Sequence, residues 1–165
     1  MEDRLKEKEF LGCLDGSCRP KFFFDGASES NPGAVGAGGL IMDQHGNHIA
    51  SFEWGLEQMT NNKAEAYALM QGLQLIKKLK IKNVMVFEDS SNFIQLMLNS
   101  STSPNIDLNR LIISNRNLVQ DIGDLSFYHI LRANNKKADS LASSACSKPI
   151  GQILSQGITL LTYIP

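Results

Sequence analysis

Four acidic side chains in this 165-residue sequence stand in apolar or small-residue surroundings. Asp25 follows Phe22-Phe23-Phe24, Glu65 opens an amphipathic stretch, Asp89 follows Val84-Met85-Val86-Phe87, and Asp139 heads a segment rich in Ala, Ser and Leu. Glu2, Glu7, Glu29, Glu57 and Asp121 sit in polar neighbourhoods and read as solvated. Carboxylates gathered together raise one another's pKa unless cations neutralise them. Hard oxygen donors with no His or Cys among them favour Mg²⁺ or Mn²⁺ over zinc. Two such ions ~4 Å apart clamp the attacking and leaving oxygens of a phosphodiester. The set would therefore serve metal-dependent phosphoryl transfer if the fold brings the four together. Each acid also has a local duty that needs no metal. Asp25-Gly26 suits a turn and Asp89-Ser90 a helix cap, while Glu65 and Asp139 suit the positive end of a helix. Only their joint placement points to a metal site.

The elements that must position them follow from periodicity. Lys21-Phe22-Phe23-Phe24 reads as a buried strand ending in a turn at Asp25-Gly26, and Gly36 to Met42 as a second strand. The turn signal Asp43-Gln44-His45-Gly46-Asn47 leads into a third, in which Ala50, Phe52, Trp54 and Leu56 face one way and Ser51 and Glu53 the other. From Lys63 to Lys80, Ala66, Leu69, Leu73 and Ile76 keep helical spacing, with Asn61 or Asn62 as cap. Val84 to Phe87 reads as a strand, and Ser90 or Ser91 caps a helix carrying Phe93, Ile94, Met97 and Leu98. Ser100 to Asn105 breaks it. Further expectations are a helix over 107–121, a strand over 125–131, a small-residue helix over 137–145, and a short tail strand or trailing end over 158–164. The order β-β-β-α-β-α-α-β-α makes a mixed α/β sheet covered by helices, with strand ends and helix starts meeting in one crevice.

Composition narrows the class. Apolar residues make up 42% and charged residues 20%, enough to bury a core in one domain. Sixteen Lys and Arg against seventeen Asp and Glu give a net charge of −1, which excludes a strongly basic nucleic-acid-coating protein while permitting a local basic face. Cys13, Cys18 and Cys146 lack zinc or disulfide spacing and suit a reducing compartment. No apolar run approaches the ~18 residues of a membrane span, and residues 1–9 lack the apolar core of a secretory signal. An intracellular, non-secreted chain without a membrane segment is expected, with residues 1–20 as a flexible leader and 21–165 as the domain. Gly33, Gly36 and Gly38 do not form a dinucleotide motif, because Ile41 stands where a third Gly is needed and the glycines precede a strand.

Asp25 to Gly38, with its Asn31-Pro32-Gly33, resembles the first motif of type 1 ribonuclease H. Thr60-Asn61-Asn62-Lys63-Ala64-Glu65 looks like the second and Glu88-Asp89-Ser90 the third. His129 to Ala142 resembles the last, in the variant found in plant reverse-transcriptase-like domains. Four ordered motifs covering about residues 21–145 are a specific match. The resemblance implies an RNase H-like α/β fold: a five-stranded mixed sheet, three antiparallel strands then two parallel, flanked by helices. It implies two Mg²⁺ ions, with Mn²⁺ as substitute, bridged by Asp25, with Asp139 completing one site and Glu65 and Asp89 the other. The implied reaction is hydrolysis of the RNA strand of an RNA–DNA hybrid, giving 5′-phosphate and 3′-hydroxyl ends. His129 matches the family's mobile histidine, which assists proton movement or product release; an ordinary strand histidine is the alternative.

Substrate contacts implied by the match are the backbone at Gly26 and Ala27 and the side chains of Ser28, Asn31, Asn61, Asn62 and Asn135. Arg132, Lys136 and Lys137 are the phosphate candidates. The family's basic, Trp-containing handle is missing from 100–110, Trp54 reads as core, and Lys77, Lys78, Lys80 and Lys82 read as a solvated helix end. A monomer with no obligate protein partner is expected. The competing expectations are a catalytically inactive nucleic-acid-binding or interaction domain that keeps the fold, and a resolvase- or integrase-like nuclease. The intact acids argue against the first, and the Asn-Pro-Gly and Thr-Asn-Asn motifs against the second.

Overall fold

The computed structural model describes residues 3–4, 19–29, 33–99 and 104–157. Its strands are β1 (Asp3–Arg4), β2 (Lys21–Ser28), β3 (Val35–Met42), β4 (His48–Leu56), β5 (Met85–Glu88), β6 (Ser126–His129) and β7 (Ile153–Gly157). Its helices are α1 (Asn61–Leu79), α2 (Ser91–Leu98), α3 (Ile106–Ile122) and α4 (Lys136–Ala145), the last preceded by a 3₁₀ turn over Arg132–Asn134. The sheet order is β1-β6-β5-β2-β3-β4-β7. At its centre β2, β3 and β4 are antiparallel, and β5 and β6 join β2 in parallel. This is the expected five-stranded mixed sheet, extended by one short strand at each edge.

Those two edge strands were not expected. Asp3 and Arg4, inside the segment read as a leader, pair in parallel with Tyr128 and His129. β7 pairs antiparallel with β4, Ala50 opposite Gly157 through Trp54 opposite Ile153. The tail read over 158–164 lies outside the described residues, as do Cys13 and Cys18; Cys146 is buried and free. No helix among the described residues is long and apolar enough to cross a membrane.

The run KFFF is buried on both faces, as a central strand must be. Phe22 and Phe24 face the larger core with Leu69, Leu73 and Ile76 of α1. Phe23 faces a smaller core with Phe87, Ile130 and Ala138 of α4. Each such ring contributes about 1.5–3 kcal/mol by leaving water. Helices α1 and α4 thus cover opposite faces of the sheet.

The expected turn at Asp25-Gly26 is not formed. β2 runs on to Ser28, with Asp25 opposite Gly38 and Gly26 opposite Ala37. Glycine is needed here for closeness, not for bending. A Cβ on Gly26 would stand 2.7 Å from Glu65 N, and one on Gly38 would stand 2.4 Å from Ala142 N. The backbone of α1 therefore lies directly on β2, which carries the first acid, and that of α4 on the neighbouring β3. Chain-specific capping sets the rest. Thr60, not Asn61 or Asn62, caps α1 by accepting from Lys63 N at 3.3 Å. Ser90 Oγ caps α2 by accepting from Phe93 N at 3.2 Å.

Candidate active site

Three of the four expected acids meet where the middle of β2, the residue after β5 and the second turn of α1 converge; Glu65 lies beyond the first helical turn in which it was expected. One oxygen from each of Asp25, Glu65 and Asp89, together with one from Glu88, lies within 4.8 Å of the others. Asp25 is 5% exposed, Glu65 6% and Glu88 1%, while Asp89 is half-buried. Asp139 stands outside this tight group, yet is near enough to Asp25 to add to the rise in its pKa. It faces the same cavity of about 400 Å³ from the first turn of α4. All four expected acids therefore line one cavity, and α4 delivers the last of them from the opposite face of the sheet.

Glu88 is the acid that sequence reasoning passed over. Its Oε1 accepts from Asp89 N at 2.7 Å and Ser90 N at 3.1 Å, while Oε2 is buried with no hydrogen-bond partner. The available signal was a carboxylate closing a four-residue strand whose every residue is buried. An acid has few reasons to sit there unless something cationic compensates it.

The electrostatics are those of a crowded, desolvated cluster. Burial pushes the Asp25 carboxyl up to about 10, helped by the charge and hydrogen bond of Glu65 and the charge of Asp89. Burial also raises Glu65, against hydrogen bonds with Glu88 and Asp25 that partly offset it. Glu88 lies well above the usual carboxylate range through burial and the charge of Glu65. Glu65 Oε2 shares with Glu88 Oε2 the condition of being buried and unpartnered. All these groups are hard oxygens, and two of them accept from no N–H or O–H donor among the described residues. That set fits a hard divalent cation, which would satisfy the orphaned oxygens and neutralise the repulsion together.

Around the acids the cavity is lined by Gly26, Ala27, Ser28, Asn61, Asn62 and Arg132, as expected, and also by Ser90 and Ser143, which were not. With Thr60 acting as cap, the amides of Asn61 and Asn62 carry no capping duty. Arg132 is largely exposed, its Nη2 3.8 Å from Asp139 Oδ1. Two further residues of the expected set lie behind this lining. Asn135 is 1% exposed, and its Nδ2 donates to Phe24 O at 3.0 Å. It ties the start of α4 to the residue before Asp25, while its Oδ1 is buried with no donor among the described residues. His129 is the last residue of β6, within the strand expected over 125–131. Its Nε2 contacts the Asp89 carbonyl oxygen at 3.2 Å. The chain passes from β6 to α4 through a short 3₁₀ turn, and the ladder to β5 sets the backbone position of this histidine opposite Glu88. Asn31 lies outside the described residues. Of the lysines read as a helix end, Lys77 pairs with Asp121 at 3.3 Å, both exposed, as a solvated surface requires.

Comparison with known proteins bears on the family and the fold. The family model described as "Reverse transcriptase-like" matches residues 23–145. "Ribonuclease HI" of Halobacterium salinarum is 30% identical over 131 residues, covering 79% of this chain and 66% of that protein. "Bifunctional protein Rv2228c" of Mycobacterium tuberculosis is 30% identical over 122 residues, 73% of this chain and 34% of that protein. This chain thus spans under two thirds of the archaeal relative and about a third of the mycobacterial one. The crystal structure of the Halobacterium RNase H1 superposes with a TM-score of 0.72 at 30% identity, covering 78% of this chain and 97% of that one. LC11-RNase H1, isolated from compost, has been crystallised with an RNA/DNA hybrid. That complex superposes with a TM-score of 0.71 at 26% identity, covering 78% of this chain and 96% of the other.

Proposed function

We propose, from the premise that this chain belongs to the reverse transcriptase-like family of ribonuclease H folds, that it hydrolyses the RNA strand of RNA–DNA hybrids with divalent ions, leaving 5′-phosphate and 3′-hydroxyl ends. The observation that carries the proposal is the convergence of Asp25, Glu65 and Asp89, with oxygens within 4.8 Å, in a cavity that Asp139, Asn61, Asn62 and Arg132 also line. Asp25 with Glu65 and Asp89 would hold one Mg²⁺ or Mn²⁺, and Asp25 with Asp139 a second. When bound, such ions supply an activated water and charge neutralisation at the phosphodiester.

The rest of the work falls to the chain's own groups. Gly26 N–H donates to Asp25 Oδ1 at 3.0 Å and holds that carboxyl in the cavity. The Asn61 and Asn62 amides can donate to one minor-groove edge and accept from another, and can bond the 2′-hydroxyl that separates RNA from DNA. The Arg132 guanidinium, held to Asp139 only by an exposed pair, is free to turn to a backbone phosphate, since such pairs are weak. His129 acts one step removed from the reacting atoms, as a positioning residue for Asp89 through the carbonyl oxygen it contacts.

The test is a panel of end-labelled RNA–DNA hybrid, double-stranded RNA and double-stranded DNA, incubated with Mg²⁺ and then with EDTA. Cleavage confined to the RNA strand of the hybrid and abolished by chelator is expected. Binding without cleavage would instead mark an inactive binding domain.

A further inference from the structure

We propose that Glu88 is a fifth acid of the ion site, presenting Oε2 as a ligand to the divalent ion held by Asp25, Glu65 and Asp89. This rests on the metal-dependent reading above and extends it to a residue that the expected set of four does not contain. Three observations carry it. An oxygen of Glu88 lies within 4.8 Å of oxygens from the other three acids. Its Oε1 is held in place by two N–H groups, those of Asp89 and Ser90, which fixes the direction of the carboxyl. Its Oε2 is then left buried at a residue only 1% exposed, with no N–H or O–H of the described residues donating to it.

A purely structural duty does not account for the choice of residue. Bonding the N–H groups of Asp89 and Ser90 asks only for a short polar side chain, and Ser, Thr or Asn would do it without burying a charge. Glutamate adds one thing to that clamp, a second oxygen carrying negative charge into the cluster. Carboxylate oxygen is the donor that Mg²⁺ and Mn²⁺ take. An additional protein oxygen also replaces one of the waters the ion would otherwise keep, so the ion in this cleft is held by more protein and less solvent.

The test uses the full chain without nucleic acid. Mn²⁺ binding is measured by calorimetry for the wild type, Glu88→Gln and Glu88→Thr, with melting in EDTA to verify folding. A Mn²⁺-soaked wild-type crystal is read by anomalous scattering. Mn²⁺ affinity is expected to fall at least tenfold in both variants while they melt at or above the wild-type temperature, and Glu88 Oε2 should stand in the coordination shell of the ion. Unchanged or tighter Mn²⁺ binding by the variants, or a bound ion whose shell omits Glu88, would overturn the proposal. If the variants fail to fold, the crystal alone decides. A wild type that binds no Mn²⁺ would defeat the metal-dependent reading itself, an outcome distinct from failure at Glu88 alone.

Discussion

Replacing Asp25 by Asn should stabilise the ion-free protein, and the gain should grow with pH. The Asp25 carboxyl is raised in the folded chain from 3.8 to about 10. Between those values the folded chain keeps a proton there that the unfolded chain releases. Stability is therefore complete below about pH 4 and is lost as pH climbs toward the folded value. At pH 7.5, nearly four units above 3.8, holding the proton costs about 1.4 kcal/mol per unit, or about 5 kcal/mol for a lone group. Glu65 and Glu88 share the same protons and charge, so a gain of roughly 2–5 kcal/mol is expected for the neutral, isosteric amide. Urea denaturation in EDTA at pH 4, 6 and 7.5 reads it directly. The variant and wild type should coincide near pH 4 and diverge steadily above it. Saturating Mg²⁺ should narrow the difference, because an ion that binds only the intact acids stabilises only the wild type. A variant no more stable than wild type at pH 7.5, or a difference that ignores pH, would refute the reasoning.

Three further outcomes follow from individual contacts. Gly26→Ala forces a Cβ within 2.7–2.8 Å of the α1 backbone at Ala64 and Glu65; it should cost about 1–3 kcal/mol in urea and lower cleavage by displacing Glu65. Asn135→Ala strips the Phe24 carbonyl of its bond; the urea midpoint should fall by the equivalent of about 1–3 kcal/mol, while hybrid affinity stays near wild type, because this amide positions Asp139. Arg132→Ala breaks only an exposed pair; stability should move by under about 0.5 kcal/mol, whereas the slope of log affinity against log salt for hybrid binding should drop by about one.

Much of this architecture was legible because hydrophobic period and capping chemistry point the same way. The 3.6-residue spacing of Ala66, Leu69, Leu73 and Ile76 gives α1, and Ser90 announces α2. Helix starts and strand ends then dictate that Glu65, Asp89 and Asp139 share a crevice. What escaped depended on partners distant in sequence. Asp25-Gly26 has turn composition, yet α1 and α4 lie so close to β2 and β3 that glycine is required within straight strands. Asn135 resembled a ligand contact, and only the approach of β2 shows its Nδ2 donating to Phe24 O. β1 and β7 carry little periodic signal in two and five residues; their partners at the sheet edges define them. Glu88 was hidden by its neighbour. Two adjacent acids at a strand end look like one motif residue and one bystander, and the difference lies in which oxygens the backbone N–H groups occupy.

The most direct measurement is cleavage of an RNA–DNA hybrid, labelled on the RNA strand, by wild type and Asp25→Asn at equal concentration in Mg²⁺, with urea unfolding confirming that both are folded. The wild type should cut the RNA strand and the variant should not, although the variant is the more stable protein without ions. A folded Asp25→Asn chain that cuts at the wild-type rate would contradict the claim that these buried acids gather to hold the ions that break RNA.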